Sequence, residues 1–454
     1  MFDNFEVEGQ GSFGREGITL YRGNAKFIWN ACESFAERKL YLEATTSDFS
    51  SNIVPAVNED ELIDFEGTTH DRAVFKAKWL SKVSYNFSWS KGVVNRTFGY
   101  HVQELELGDT KEELDKIEFY LPNAFFPFMN HSKDDPPSGL NTPIPLELKY
   151  LDKSYVVVIE DITDPEMVKS ALDHITLRLT VQSKDSELRK SDVEELVKYI
   201  LEIMSVAYGD QLPWSFMIAY RKEVEQFRQY KSDYICSHRI HRTLVSMQFP
   251  ENLKNLIESC FTTYSQMTDK KRKALKILSQ GIQMSSERLF FPLPFIILAS
   301  SIESFASLTL PDSSNSLLSK AERRSLNDSF KEWIRENLLA YLDNDEDKQW
   351  VIENSNQKLA FMVQKSLRER IIALFEKFDI EHKIDVIGEF VKRRNEGTHQ
   401  EYRYTSGDYE KWCKVAALLE RLILKELGYN GQFNDWYEIQ PVAKELSQVL
   451  EKGL

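Results

Sequence analysis

Cysteine is scarce in this chain, with only four among its 454 residues. So few cannot hold a chain of this length by a disulfide framework, and we expect a protein of a reducing, cytoplasmic compartment. The sequence does not open with a basic stretch followed by an apolar run, which argues against a signal peptide. Its longest apolar run, Leu289–Ser300, contains two prolines and is shorter than the roughly 20 residues of a membrane span. We therefore expect no membrane partner.

Positive charge is also in deficit, and the deficit is uneven along the chain. Lys and Arg number 57 against 71 Asp and Glu, which gives a net charge of −14. Residues 1–250 carry 28 basic and 40 acidic side chains, whereas residues 251–454 carry 29 and 31. The whole chain is thus unlike a protein that coats nucleic acid through bulk charge. The second part is nearly neutral, however, and its basic stretch 392–394 is sufficient to hold a few phosphates.

The spacing of apolar residues divides the chain into a β-rich part and a helical part. Up to about residue 240, short alternating runs predict strands, and a helix follows residue 190. The predicted strands are Gly17–Tyr21, Ala73–Leu80, Val83–Trp89, Gly99–Leu107, Ile117–Phe128, Tyr155–Ile159, Ile175–Val181 and Leu212–Tyr220.

From about residue 250 the apolar spacing is helical throughout. The predicted helices are Leu253–Met267, Lys270–Met284, Phe295–Leu308, Ala321–Leu342, Leu359–Phe378, Ile384–Asn395 and Asp408–Leu427. We therefore predict an α+β multidomain protein, with a β-rich domain over residues 1–240 and an all-α domain over residues 241–454.

A glycine pattern near the start, Gly9-x-Gly11-x-x-Gly14, matches the spacing of a dinucleotide-binding loop. Such a loop needs a preceding strand and a following helix, whereas a predicted strand follows here. We interpret the glycines as a flexible turn. No cluster of metal-binding carboxylates is evident either, so the sequence predicts neither a cofactor nor a metal.

One short motif combines the residue types that RNA cleavage needs, namely Arg394 and Asn395 followed by His399. It ends a predicted helix, and Gly397 permits a break there that would turn His399 back toward Arg394. Attack by the 2′-hydroxyl of RNA requires a base and an acid, and His serves in either role near neutral pH. Arg stabilises the extra charge on the phosphate, while Asn orients the His or binds a phosphate oxygen. This chemistry needs no metal.

The spacing of Arg and His alone is not specific. Arg96 and His101 repeat it, but Thr97 follows that Arg and the setting is a predicted strand. Requiring Asn after Arg reduces the number of copies expected by chance to roughly 0.02 in this chain. We therefore interpret only the second copy, at residues 394–399, as functional.

An Arg-Asn-x-x-x-His motif at a helix end within an all-α domain resembles the HEPN superfamily, over about residues 250–430. The resemblance implies a metal-independent endoribonuclease in which two domains pair, so that two motifs line one groove. It also implies that Arg394, Asn395 and His399 are the catalytic residues and that the partner is a second copy of the chain.

The same resemblance assigns supporting residues around the motif. HEPN proteins often carry an acidic residue on an earlier apolar helix, which corresponds here to Glu303. That carboxylate either pairs with Arg394 or faces solvent, and the sequence leaves both alternatives open. Lys392 and Arg393, which precede the motif, are the expected RNA contacts.

A β-rich domain before a HEPN-like domain is similar in layout to ApeA-type bacterial antiphage proteins. That similarity implies abortive-infection defence, in which RNA, tRNA included, is cut after a phage-derived trigger is sensed. Two other functions stay open. In the first, the helical domain is a non-catalytic module that binds RNA, a nucleotide or a partner protein. In the second, the β-rich domain is a ligand sensor and the helices serve to form a dimer.

Overall fold

Two compact units make up the chain in the computed structural model. The described residues are 5–15, 18–29, 40–46, 62–90, 93–109, 113–122, 143–162, 175–184, 187–231, 242–245, 250–286, 290–399, 402–438 and 442–446. One unit comprises Met1–Ile240 and Met247–Ser265, and the other comprises His241–Ser246 and Gln266–Leu454. The first is β-rich and the second helical, which confirms the predicted α+β class. None of the helices in these ranges has the length and apolar character needed to cross a bilayer.

In the ranges that the structure describes, the first unit is built from antiparallel strands and two helices. The strands are β1 (Phe5–Arg15), β2 (Ile18–Trp29), β3 (Leu40–Thr46), β4 (Ile63–Thr69), β5 (Val74–Ser90), β6 (Val93–Val102), β7 (Glu104–Gly108), β8 (Lys116–Pro122), β9 (Ile144–Tyr150), β10 (Lys153–Asp161), β11 (Ile175–Ser183), β12 (Phe216–Arg221) and β13 (Val224–Lys231). The helices are α1 (Lys190–Tyr208) and α2 (Pro250–Ser265). The sequence predicted all of 241–454 as one domain, whereas α2 belongs to the first unit and packs on α1 and β9.

A closed ring of six strands forms one end of the sheet. The strand order is β4-β1-β2-β3-β6-β5-β7-β13-β12-β8-β11-β10-β9, and β4 also pairs with β5. The additional pairing closes β4, β1, β2, β3, β6 and β5 into the ring, whose interior is filled by aromatic side chains. Fully buried members are Phe13, Phe27, Phe65, Phe75 and Tyr100. Their burial is the main source of stability for this ring.

The early glycines lie inside β1, so the prediction of a flexible turn was wrong. Gly11 pairs with Gly67 of β4, and Gly9 pairs two residues further along the same ladder. A Cβ on Gly11 would lie 2.2 Å from the carbonyl oxygen of Glu66 and 2.5 Å from the Cα of Gly67. The missing side chains therefore let β1 and β4 approach closely enough to close the ring.

The second unit contains the remaining helices and a short hairpin. Its elements are α3 (Asp269–Ser286), α4 (Leu293–Thr309), α5 (Asp312–Asn315), α6 (Lys320–Trp333), α7 (Asp345–Met362), α8 (Leu367–Lys377), α9 (Ile384–His399), α10 (Asp408–Glu426), β14 (Gln432–Asp435) and β15 (Val442–Glu445). A π-helical turn, Ile334–Leu338, and a 3₁₀ turn, Leu339–Tyr341, follow α6.

One predicted helix, Leu359–Phe378, is two helices in the structure. Residues 363–366 interrupt it, and Ser366 begins α8 with a capping box. The Ser366 hydroxyl accepts from the Glu369 backbone N–H at 3.3 Å, and the Glu369 carboxylate accepts from the Ser366 N–H at 2.8 Å. The box satisfies free backbone donors at a new helix start, which explains the break.

Helix α10 is the central helix of the second unit and is buried over most of its length. Arg242, which precedes α2 in the chain, forms a buried ion pair with Glu420 of α10, at 2.9 Å between Nη2 and Oε2. Its guanidinium lies over the rings of Trp412 and Trp436, 5.3 and 5.2 Å from their centroids. A charge this deeply buried requires such a partner, so the pair fixes residues 242–245 on α10.

The close approach of β1 and β4 gives a stability prediction. Gly11→Ala should lower the free energy of unfolding by about 1–3 kcal/mol, because its Cβ collides with backbone atoms that cannot yield. Urea unfolding of the full chain measures the change. Gly407→Ala is the control, since its Cβ would meet no atom within 4 Å. Equal stability of the two variants would contradict this account of ring closure.

Candidate functional site

Helix α9 carries the predicted motif in its last two turns. The helix continues without a break through Gly397 and ends at His399, so the expected kink at Gly397 is absent. Ile387 and Phe390 are fully buried and hold the middle of α9 in the core. The side chain of His399 lies outside the described residues, and only its place as the last helical residue is known. The motif therefore sits at the C-terminal end of a firmly packed helix.

Gly397 has a different role from the one that its sequence context suggests. A Cβ at this position would lie 2.5 Å from Cβ and 2.7 Å from Cγ of Pro292, which immediately precedes α4. The α4 side chain of Phe295 packs on Phe390 at 5.6 Å between ring centroids. The glycine is thus needed for close approach of the end of α9 to the start of α4, rather than for a bend.

Arg394 and Asn395, two of the three predicted motif residues, contact each other. Nη1 of Arg394 donates to Oδ1 of Asn395 at 3.2 Å, and the Asn395 side chain is exposed. Nε of Arg394 is buried and has no hydrogen-bond partner among the described residues. The Arg394 side chain as a whole is only partly buried, so the outer nitrogens of its guanidinium can bind an added anion.

The neighbouring Arg393 is directed into the protein. Its Nε donates to Oδ1 of Asp408 at 2.7 Å, and its Nη2 donates to the carbonyl oxygen of Arg403 at 2.8 Å. Asp408, at the start of α10, is fully buried. The same carboxylate accepts from the Tyr402 hydroxyl at 2.6 Å and from the Thr405 N–H at 2.9 Å. One ion pair therefore holds the end of α9, the segment 402–405 and the start of α10.

The electrostatics of this cluster favour the charged pair. Burial opposes ionisation of Asp408, but hydrogen bonds from Arg393, Tyr402 and Thr405 outweigh it and hold the pKa of its carboxyl well below the usual range. The hydrogen bond to Asp408 likewise raises the pKa of the Arg393 guanidinium. Burial, reinforced by its bond to Asp408, raises the pKa of Tyr402, which stays a neutral donor.

Arg393 is therefore not retained among the expected RNA contacts, because its guanidinium is buried and engaged with Asp408. Lys392, the other predicted RNA contact, is exposed and can reach solvent phosphate. Adjacent positions on a helix differ by about 100° in direction, so two neighbouring arginines take opposite roles here. Within the described residues, Lys392 and Arg394 are two cations at this end of α9 that no ion pair engages.

Glu303 has a different partner from the predicted one. Its Oε1 accepts from Nη2 of Arg370 on α8 at 2.7 Å, and its side chain is one-third exposed. Arg370 itself is almost fully buried, on a face that it shares with Leu367 and Ile371. Of the two alternatives that the sequence leaves open, the structure shows neither a pair with Arg394 nor a fully solvated carboxylate, but a partly exposed pair with Arg370. The sequence signal that could have revealed Arg370 as the partner is its position at helical spacing within the apolar face of α8, where a buried charge needs a partner.

No group of three or more His, Cys, Asp or Glu side chains is placed to bind a metal ion within the described ranges. Comparison with known proteins finds no match either. No protein-family model, curated protein or solved structure matches the chain. The candidate site therefore depends on the geometry around α9.

Packing at Gly397 gives a second stability prediction. Gly397→Ala should destabilise the second unit by about 1–3 kcal/mol, because the rigid Pro292 ring leaves no room for a Cβ. Gly388→Ala, in the same helix, is the matched control, since its Cβ would meet Arg368 only at ordinary contact distance, 3.8 Å. Thermal unfolding compares the two variants. Destabilisation by Gly388→Ala as large as by Gly397→Ala would contradict the proposed close approach.

The buried pair predicts a pH-dependent loss of stability. Asp408→Ala removes the buried carboxylate from Arg393, which is left with Glu396 of its own helix, and should cost up to about 3–5 kcal/mol. Because folding lowers the pKa of Asp408 from 3.8, its contribution is complete above that pH and is lost as the pH falls below it. The stability difference between wild type and variant in urea unfolding should therefore shrink in acid.

Asp385 is the control for this measurement, because it is an exposed carboxylate in the first turn of α9. Asp385→Ala should change stability by less than about 1 kcal/mol. A penalty for Asp408→Ala that stays constant from neutral pH into acid would show that the ion pair is not its source.

Proposed function

We propose that this protein is a metal-independent endoribonuclease that acts as a homodimer. The observation that carries the proposal is the state of Arg394. Its guanidinium contacts Asn395, is only partly buried, and lies on the helix end that His399 terminates. The outer N–H groups of this guanidinium can donate to the oxygens of a phosphate diester.

The reaction follows from the roles available to these side chains. The 2′-hydroxyl of the substrate loses its proton and attacks the adjacent phosphorus, and the bond from phosphorus to the 5′-oxygen breaks. The 5′-oxygen takes up a proton, which leaves a 2′,3′-cyclic phosphate and a 5′-hydroxyl end. Arg394 stabilises the added negative charge on phosphorus, Asn395 orients the groups, and His399 transfers protons.

Two proton transfers support the proposal of a dimer. One proton leaves the 2′-hydroxyl while another reaches the 5′-oxygen, and each protomer supplies one His399. Two copies of α9 that face one groove would provide one imidazole as base and one as acid. The HEPN resemblance implies the same pairing of motifs, so a second copy of the chain is the expected partner.

The biological setting is part of the proposal and is supported by the layout of the chain. A β-rich unit precedes the helical unit, as in ApeA-type antiphage proteins. We place the protein in abortive-infection defence, where a phage-derived trigger acts through the β-rich unit and the helical unit cuts RNA, with tRNA as the expected substrate. Most of the negative charge lies in the first part, away from the motif in sequence.

Cleavage of tRNA tests the activity directly. With an extract of phage-infected cells to supply the trigger, the wild-type chain should cleave tRNA in the presence of a chelator and leave 2′,3′-cyclic phosphate ends. His399→Ala should lower the rate by about 10²–10⁴-fold and Arg394→Ala by about 10²–10³-fold. His70→Ala is the matched control, because His70 is an exposed histidine of the first unit and should leave the rate unchanged.

The result separates the nuclease from its alternative. RNA binding by wild type and His399→Ala with no cleavage by either would identify a non-catalytic module and reject the nuclease. Equal cleavage by wild type and His399→Ala would place the active site elsewhere. Gel filtration with light scattering tests the dimer independently of catalysis.

A further inference from the structure

Two aromatic rings stand exposed beside the end of α9. Phe290 is 88% exposed and Tyr404 is 64% exposed, so a partner can reach both rings. Phe291 lies next to both, and its ring centroid is 5.9 Å from that of Tyr404. We call Phe290, Phe291 and Tyr404 the aromatic surface.

The aromatic surface adjoins the motif. Its first two rings directly precede Pro292, the residue on which Gly397 of the motif packs. Tyr404 follows the last residue of α9 by five positions and contacts the same turn through Phe291. The rings therefore lie at the contact between the end of α9 and the start of α4, and Arg394 precedes that contact by about one helical turn.

The backbone on both sides of Tyr404 is fixed although its ring is exposed. The carbonyl oxygen of Arg403 accepts from Arg393 at 2.8 Å, and the N–H and hydroxyl of Thr405 donate to Asp408 at 2.9 and 2.7 Å. An exposed ring on a fixed backbone loses little freedom when it binds a partner. Arg393 and Asp408 are thus positioning residues for Tyr404.

The chemistry of the surroundings indicates what these rings bind. Lys392 is exposed nearby in sequence, and the Arg394 side chain is only partly buried, so the site favours an anion. Aromatic rings beside phosphate-binding cations are typical of surfaces that bind single-stranded nucleic acid, because every base has a face that can stack. Bases in a duplex are already stacked on each other and do not offer that face.

We propose that Tyr404, with Phe290, stacks unpaired bases of RNA next to the phosphate bound by Arg394, so that the site selects unpaired over duplex RNA. This inference rests on the proposed function, which supplies RNA as the substrate. It adds that unpaired bases are the part of the RNA that the site recognises. Tyr404 is then a specificity-determining residue, and the ring rather than the hydroxyl is the group that matters.

Fluorescence of 2-aminopurine in a short single-stranded RNA measures stacking without cleavage, in the His399→Ala background. The base should be quenched on binding, and the same RNA in a duplex should bind more weakly. Tyr404→Ala should raise the dissociation constant about 5- to 100-fold and remove the quenching, whereas Tyr404→Phe should stay within about twofold. Tyr341→Ala, at an 84% exposed tyrosine of the same unit, is the control and should bind like wild type.

Equal binding by Tyr404→Ala and Tyr404→Phe would overturn the proposal, as would equal affinity for single-stranded and duplex RNA. Cleavage assays then distinguish failure of the stacking proposal from failure of the nuclease proposal. Quenching that depends on Tyr404, in a protein that cuts no RNA, would support stacking and reject the nuclease. Cleavage by wild type with an unchanged KM in Tyr404→Ala would reject stacking and keep the nuclease.

Discussion

The buried ion pair of Arg393 and Asp408 is the interaction on which the candidate site depends. It joins the end of α9 to the start of α10 and fixes the segment 402–405 through the same carboxylate. With Arg393 directed inward, Arg394 lies on the side of the helix where its guanidinium keeps donors for a ligand. A structural arginine and the arginine that we propose to bind the substrate thus stand side by side in one helix.

Local patterns in the sequence are sufficient for most of the secondary structure but not for the closure of the sheet. Apolar spacing predicts strands such as β10 and helices such as α10, because each buries one face. The glycines of β1 were assigned to a turn, since their partner strand β4 lies more than 50 residues away in sequence. Closely spaced glycines can be read as a site of close backbone approach only when the strand that approaches them has been identified.

The candidate site shows the same division. The pair of Arg394 and Asn395 could be predicted because both residues lie next to each other in one helix. The partner of Glu303 could not, because the choice between Arg394 and Arg370 depends on which helix crosses α4 at that point. Similarly, nothing within the stretch of three basic residues reveals that Arg393 faces the core, because Asp408 comes from the next helix.

The path of the chain has a consequence for synthesis on the ribosome. The chain enters the second unit at residue 241, returns to the first at 247 and leaves it at 266. Arg242 is therefore synthesised 178 positions before its partner Glu420 and cannot form the ion pair until that residue has emerged. The first unit is completed only when α2 has emerged. Domains generally fold as units from the N-terminus onward. Helices α9 and α10 emerge near the end, so the proposed RNA-cutting site at their junction would assemble only after the β-rich unit has folded.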